Sequence, residues 1–534
     1  MNPTERQAVI NTRVVLLACG VLLLCLSLYI HLMTGDAGDK AWILLAARKW
    51  LEGKKLYADI FEVNPPLFIW LYSLPVYLSL HYGFFRDYQF LVIIGYVAIA
   101  CVIGVSGKLI RFHPEFAHNE KKKVEFYLLL AGVFLFLTNP VYFFDREHIF
   151  LVLTFSYVLR WMPSLSGVQI PRYLRIIIGL MAGIGFCIKP QCVLVLAGIN
   201  VIYGVMRRSA AILWSIENGI IYLMATIYVA SVWFLTPEYV TIVIPMALAT
   251  YSATSVKTGG RLFAMLALCI FGMTFADFRL RYTSPYRKDI FYLAAVCIPF
   301  LVYALANNGW GYTWNPLSSM LLITTGFVWW EYSYLKKMSQ EQGQPCKQFV
   351  FGERACILNF TFNGAIILVL YGIMAVHHCL NDSRCEYQYL VAHDVVQING
   401  DRSFGTISME FDLWAYLSRQ TGAKWETRFY QLWMLPKFFT ADAEFAAKHK
   451  WIADYVANAL AEDMERNEPE TMFVDDTGAF YSVHRHVDLI AWLSATPRFA
   501  QEWKHYRSIG MIRNTSGTRS DKEHNGYLVY QRIQ

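Results

Sequence analysis

Long apolar runs separated by short polar segments fill the first two thirds of the chain. A helix needs about 20 apolar residues to cross the roughly 30 Å of hydrocarbon in a bilayer. On this criterion the pattern predicts eleven membrane spans. Several of them are short, so the predicted number could differ by one or two spans. The predicted spans are residues 14–33, 88–110, 124–140, 147–162, 174–188, 191–206, 211–235, 261–278, 289–306, 316–335 and 356–378.

The pattern changes after residue 379. Residues 380–534 contain no apolar run of 18 residues, and segments such as 441–466 have helical periodicity, whereas 471–475 has the composition of a buried strand. We therefore expect two domains, a transmembrane body at 1–379 and a soluble mixed α/β domain at 380–534. The predicted fold class is a polytopic α-helical membrane protein with this C-terminal domain.

Composition supports a membrane protein, and charge gives its orientation. Of the 534 residues, 56% are hydrophobic and 16% are charged, against about 25% charged in an average soluble domain. Lys and Arg cluster in loops such as 121–123, 207–208 and 279–288, which places those loops and the N-terminus in the cytoplasm. An odd number of spans then exports the tail. Because this topology accounts for the net charge of +7, no nucleic-acid partner is expected.

The first outer loop, residues 34–87, is the most polar segment between the early spans. Within residues 39–53, Trp42, Leu45, Ala46, Lys49 and Trp50 recur at helical spacing. Gly53 is the predicted C-cap of this helix. Basic residues flank this apolar face, which predicts a helix lying in the membrane interface. The following stretch, 67–83, is interrupted by Pro75 and is expected to enter the outer leaflet and return. Together they predict a polar cavity roofed by interfacial helices.

Several charged residues map to the same outer face as this loop. Asp145, Arg146, Glu147 and His148 precede or begin one span, and Lys189 follows another. Ionisable groups at membrane depth are costly unless they are paired or face water, so these residues are expected to converge on one site. Structural roles remain open for each: a salt-bridge cluster around Arg146, a snorkelling Lys189, a structural hydrogen bond from His148, and turn or helix capping by Glu62 and Asp39.

Four motifs stand out in this membrane body. They are the early Asp before Tyr57-x-Asp59 and Glu62-x-Asn64-Pro65-Pro66-Leu67, then Phe144-Asp145-Arg146-Glu147-His148, Gly183 to Gln191, and Gly309-Trp310-Gly311-Tyr312 with Pro316. Together they resemble the GT-C superfamily of polyprenol-dependent glycosyltransferases. The resemblance is nearest to bacterial protein O-mannosyltransferases, lipid A aminoarabinose transferases and rhizobial galacturonosyltransferases. In the last motif Thr313 stands where the family commonly has His, so no residue at this position can take the role of that His.

The resemblance implies an inverting transfer of a sugar from a polyprenyl-phosphate donor to a hydroxyl of a cell-envelope acceptor, which is a glycolipid, a polysaccharide or a protein. It also implies a multi-pass protein of the bacterial inner membrane with a periplasmic tail. Asp39 is the preferred catalytic base because it directly precedes the helix of the first loop, and Asp36 is the alternative. Arg146 and Lys189 are assigned to the donor phosphate, and the positioning residues are Glu62, Asn64, Glu147, His148 and Tyr312.

The sequence alone does not decide whether a divalent cation is used, and it leaves two rival functions. Some members of the superfamily use a divalent cation and others do not, and the scattered acids here do not predict a metal site. A secondary transporter would also have many spans, but it favours charges at mid-membrane and internal repeats. The second rival is a non-catalytic envelope assembly protein whose exported tail binds a ligand. Cys379 and Cys385 could close a short disulfide loop at the outer edge.

Overall fold

The computed structural model describes most of the helical body and most of the tail. Described are residues 21, 24–32, 39–136, 142–251, 286–307, 311–341, 392, 394–396, 402–409, 412–476, 483, 486–513 and 526–533. The predicted spans at 261–278 and 356–378, the residues Gly309 and Trp310, and the pair Cys379 and Cys385 lie outside them.

Helices make up the body, and eight of them coincide with predicted spans. Three are long and apolar enough to cross a membrane by length and composition: Asp87–Ile110, Ile216–Leu235 and Arg287–Ala306. The total of eleven spans stays a prediction. The helices of the body are α1 (Asp39–Leu51), α2 (Leu67–Tyr82), α3 (Asp87–Ile110), α4 (Pro114–Ala117), α5 (Glu120–Phe136), α6 (Arg146–Arg160), α7 (Arg172–Cys187), α8 (Cys192–Arg207), α9 (Ile216–Leu235), α10 (Ile244–Thr250), α11 (Arg287–Ala306) and α12 (Asn315–Glu341).

Small residues let α7 approach α9 closely. A Cβ at Gly179 would lie 3.0 Å from the Cβ of Ile220, and a Cβ at Gly183 would lie 2.5 Å from the Sδ of Met224. Glycines four residues apart share one helix face, which is a common contact between membrane helices because it brings the two backbones together. The close packing fixes the turn after α7, where Lys189 lies.

Charged pairs hold the opposite end of these helices. At the end of α6, Arg160 Nε donates to Glu217 Oε1 at 3.0 Å, and Arg175 donates to the same carboxylate at 2.8 Å. Nearby, the buried His113 and Asp289 are paired at 2.9 Å, and Ser164 also donates to Asp289. Because every carboxylate in these clusters has donors, the clusters are stable anchors at that end of the bundle.

The structure of the first outer loop confirms one prediction made from the sequence and corrects two. Helix α1 spans Asp39–Leu51 and is followed by Gly53 at φ +93°, as expected for a C-cap glycine. However, residues 40–47 of α1 are all buried, so the helix is enclosed by protein and does not lie with one polar face open. The second correction concerns Pro75, which lies inside α2 without ending it. The apolar run Ala41 to Ala47 favours the burial of α1, whereas α2 leaves Leu74, Tyr77 and Leu80 exposed.

The tail contains a five-stranded mixed sheet flanked by helices. The strands are β1 (Ser403–Ile407), β2 (Lys424–Trp425), β3 (Thr471–Asp475), β4 (Tyr506–Arg513) and β5 (Gly526–Arg532), in the order β2-β1-β3-β5-β4. Strand β1 is parallel to β2 and β3, whereas β5 is antiparallel to β3 and β4. The helices are α13 (Asp412–Thr421), α14 (Leu435–Thr440), α15 (Ala443–Lys448), α16 (Lys450–Asn467), α17 (Leu489–Leu493) and α18 (Pro497–Trp503).

A segment of the tail, residues 425–433, packs directly on the first outer loop. The backbone N–H of Phe61 donates to the carbonyl of Arg428 at 2.9 Å, and Lys49 Nζ donates to the carbonyl of Trp425 at 2.5 Å. Ion pairs flank this contact, with Arg466 at 2.9 Å from Asp59 and Arg419 paired with Asp87. We call residues 425–433 the covering segment, because it closes over the loop.

Candidate active site

The centre of the candidate site is an ion pair between the first loop and the helical body. Asp39, the first residue of α1, accepts a hydrogen bond from an Nη of Arg146, the first residue of α6. The Arg146 side chain is 3% exposed, whereas that of Asp39 is 25% exposed. The pair therefore joins a buried cation to a carboxylate that solvent, and hence a substrate, can reach.

The turn before α6 positions Arg146. Asp145 caps the helix by accepting the Arg146 backbone N–H at 2.6 Å. Phe144 has φ +56°, an unusual conformation for a bulky residue. Its carbonyl accepts from the Tyr72 hydroxyl at 2.8 Å, and its N–H donates to His148 Nδ1 at 2.9 Å. These two side chains hold the strained turn, and His148 Nδ1 bonds to the backbone rather than to Asp39.

A second ion pair lies beside the first. Lys189, in the turn after α7, donates to Oε1 of Glu147, and the Tyr303 hydroxyl donates to the same oxygen at 3.3 Å. The Lys189 ammonium also lies over the ring of Tyr312, 5.6 Å from its centroid, where the ring quadrupole attracts it. The structure thus brings Glu147, Lys189 and Tyr312 together, as the sequence predicts.

Glu62 and Asn64 form a separate hydrogen-bonded group in the first loop. Glu62 accepts from the indole Nε1–H of Trp42 at 2.6 Å and from the backbone and side-chain N–H groups of Asn64 at 2.8 and 2.5 Å. Burial raises the pKa of Glu62, and the charge of Arg146 opposes this shift. With three donors on its carboxylate, Glu62 orients the loop, and its contacts are with Trp42 and Asn64 rather than with a cation.

Buried polar atoms without a partner accumulate at the start of α6. Among the described residues, Arg146 Nε and Glu147 Oε2 are buried and have no hydrogen-bond partner, although Asp145 Oδ1 lies 3.8 Å from that Nε. Leaving such an atom unsatisfied costs about 1–3 kcal/mol. Two unsatisfied atoms in consecutive residues leave hydrogen-bonding capacity at the start of α6. Burial also raises the pKa of the neighbouring Asp145 to about 6.

Two aromatic residues that the sequence did not single out reach the site from distant segments. Tyr430 of the covering segment stacks on Trp42 with ring centroids 4.8 Å apart. Tyr251 follows α10, and burial raises its pKa to about 12, with the charges of Arg146 and Asp39 acting next. No local motif marks either residue, because each is brought to the site only by tertiary packing.

Asp36, the alternative base, lies outside the described residues. The described part of the chain brings together no three His, Cys, Asp or Glu side chains that could hold a metal ion. The two carboxylates nearest the centre, Asp39 and Glu147, are each engaged by a cation. The described residues therefore do not fit a divalent cation site, and the proposed reaction is written without a metal.

Comparison with known proteins adds a single weak likeness. The chain matches no family model and no curated protein. A crystal structure of the oligosaccharyltransferase of Archaeoglobus fulgidus, in complex with zinc and sulfate, aligns over 95% of this chain and 72% of its own, with 13% identity and a TM-score of 0.39. A likeness at this level establishes neither a shared fold nor a shared function.

Proposed function

We propose that the protein is an inverting glycosyltransferase that moves a sugar from a polyprenyl-phosphate donor to a hydroxyl of a cell-envelope acceptor. The observation that carries the proposal is the Asp39–Arg146 pair, in which the exposed carboxylate is held by a buried guanidinium. A base must be accessible to the acceptor, and an anion-binding cation is most effective in a site of low dielectric constant.

Asp39 is the base in this proposal. The buried carboxylates Glu62, Asp145 and Glu147 are all below 5% exposed, so Asp39 is the acid of the described site that an acceptor can reach. It removes the proton from the acceptor hydroxyl while the hydroxyl oxygen attacks the anomeric carbon. The bond from that carbon to the phosphate oxygen breaks on the opposite face, and polyprenyl phosphate leaves with the bonding electrons.

Arg146 and Lys189 stabilise the leaving phosphate. A guanidinium has five N–H donors. Arg146 uses an Nη for Asp39, and its Nε–H makes no hydrogen bond, with Asp145 Oδ1 3.8 Å away. It can therefore bind a phosphate oxygen without releasing the base. Lys189 is held by Glu147 and has further N–H donors on the same ammonium group. Together the two cations balance charge that develops on the leaving oxygen.

The isoprenoid chain of the donor is accommodated by apolar surface that continues to the first loop. The Tyr228 hydroxyl of α9 accepts the backbone N–H of Leu67, at the start of α2, at 3.3 Å. The half of α9 around this contact presents exposed apolar side chains: Ile227, Val229, Trp233, Phe234 and Leu235. A lipid-linked donor can thus lie in the membrane while its head reaches Arg146.

The test uses purified protein in liposomes together with a cell-envelope extract that supplies acceptor hydroxyls. The donors are radiolabelled polyprenyl-phosphate sugars: a hexose, a pentose and a uronic acid. We expect release of polyprenyl phosphate, with transfer of the label to the extract, from at least one donor and none from the matching nucleotide sugars. Absence of turnover with every lipid donor, or turnover of nucleotide sugars alone, would contradict it. Substrate efflux from the liposomes without any bond cleavage would instead support the transporter.

A further inference from the structure

The site contains aromatic residues that the donor chemistry does not use. Trp42, one helical turn after Asp39, is stacked on Tyr430 at 4.8 Å with an interplanar angle of 17°. Tyr430 belongs to the covering segment, so the first loop and the tail meet at this stack.

Tyr251 and Tyr430 lie within electrostatic reach of the base. Burial raises the pKa of Tyr430, and the next causes are the carboxylates of Glu62 and Asp39, followed by Tyr251. For Tyr251 the charges that act after burial are those of Arg146, Asp39 and Glu62. The ring contacts agree with this, since Tyr430 packs on Trp42, one turn after Asp39, and Tyr251 packs on Trp433 of the covering segment.

An unpartnered donor lies beside this pair of tyrosines. The ring of Trp433 meets Tyr251 edge to face at 5.7 Å, and its Nε1–H is buried without a hydrogen-bond partner. Trp433 is 1% exposed. A buried indole N–H normally finds an acceptor, so this position is suited to an oxygen atom of a ligand.

We propose that Tyr251, Tyr430 and Trp433 form the acceptor side of the transfer site and that the acceptor is a saccharide. This inference rests on the proposed function and names its acceptor class. Aromatic rings offer flat apolar faces for the C–H face of a sugar ring, and phenol and indole groups offer hydrogen bonds to its hydroxyls. No ionised side chain is among the three.

A peptide acceptor fits this side less well. Extended peptides are commonly held by main-chain hydrogen bonds to an open strand edge. Here the backbone of Phe61 is already paired with Arg428, in a parallel bridge between Phe61 and Phe429. The covering segment therefore already uses the backbone of the first loop at this point.

Saturation-transfer difference NMR on the full chain in phosphatidylcholine nanodiscs tests the inference, since sugar detergents would compete. The probes are the methyl α-glycosides of glucose, mannose and galactose, mixed with the blocked tripeptide Ala-Ser-Ala. We expect saturation of at least one glycoside and none of the tripeptide. The signal should fall by roughly 2- to 10-fold in Tyr430→Phe, which loses one hydrogen bond but keeps the ring, and further in Tyr251→Ala.

Trp451→Ala is the matched control, because Trp451 is an exposed aromatic residue of α16, and it should leave the glycoside signal unchanged. Three results would each overturn the inference. They are saturation of the tripeptide alone, no glycoside signal in the wild-type chain, and equal signals in wild type, Tyr430→Phe and Tyr251→Ala. Donor turnover is measured on the same samples. Normal release of polyprenyl phosphate without glycoside binding refutes the acceptor class alone, whereas absent release refutes the proposed function.

Discussion

The carboxylate of Asp39 and the guanidinium of Arg146 meet across 107 residues of chain and join the first outer loop to the start of α6. Each residue alone has an ordinary structural explanation, as a helix cap or as part of a charged turn. Their contact places a base that substrate can reach next to a buried cation. The proposed chemistry follows from this pairing.

Replacing Arg146 by Lys keeps the charge but removes the planar set of donors. A lysine cannot hold Asp39 and a phosphate oxygen with separate N–H groups at fixed angles. We expect the KM for the lipid donor to rise by about 10-fold or more, corresponding to the roughly 1.5–3 kcal/mol of a charged hydrogen bond. Initial rates against donor concentration measure the change. An unchanged donor KM would show that Arg146 serves only as a structural partner of Asp39.

A double-mutant cycle separates the two roles of Lys189. Lys189→Met leaves the Glu147 carboxylate buried without its cation and should destabilise the protein by about 3–5 kcal/mol. Lys189→Met combined with Glu147→Gln removes both charges, and we expect most of that stability to return. Donor binding should remain weak in the double variant, because the phosphate still lacks its cation. Thermal unfolding and donor binding in nanodiscs are the two readouts; recovery of both would assign Lys189 a purely structural role.

Asp145 gives the folded state a pH dependence. Its pKa is raised by burial to about 6, above the roughly 3.9 of an unfolded aspartate. The folded state therefore binds more protons between these values, and stability falls as pH rises from about 4 to 6, by at most about 3 kcal/mol. Melting temperatures across this range should decline in wild type and decline less in Asp145→Asn, which keeps a capping side chain. Parallel curves for the two proteins would remove Asp145 as the cause.

The covering segment depends on a buried ion pair, whereas exposed pairs of the tail contribute little. The Arg428 and Asp463 side chains are 8% and 1% exposed and meet at 2.8 Å. Arg428→Ala should cost about 3 kcal/mol, because the buried carboxylate loses its close partner and keeps only Arg466 at 3.8 Å. Arg498→Ala breaks the exposed pair with Glu465 and should cost less than about 1 kcal/mol. Comparison of the two unfolding midpoints tests this ranking; similar losses would contradict it.

The sequence predicts local features of this protein better than contacts between distant segments. Helix α1 follows from the spacing of its apolar residues. Gly53, just after the helix, follows because the C-cap region requires a residue that tolerates positive φ. The grouping of Arg146, Glu147 and Lys189 follows from the cost of isolated charges near a membrane. Burial of α1 on all sides was not predicted, because periodicity does not reveal that the tail covers the loop. Tyr430 is separated from Trp42 by almost 400 residues, so only the folded chain shows their contact.

Asp39→Asn tests the central claim most directly when donor binding and sugar transfer are measured on the same samples. Asn keeps a polar side chain of the same size in the first turn of α1 but cannot accept the acceptor proton at neutral pH. The matched control is Asp59→Asn, a loop carboxylate that is paired with Arg466. The account predicts that Asp39→Asn binds the polyprenyl-phosphate sugar within a few-fold of wild type and transfers it at least about 100-fold more slowly, while Asp59→Asn transfers normally. Transfer by Asp39→Asn at the wild-type rate would contradict the account.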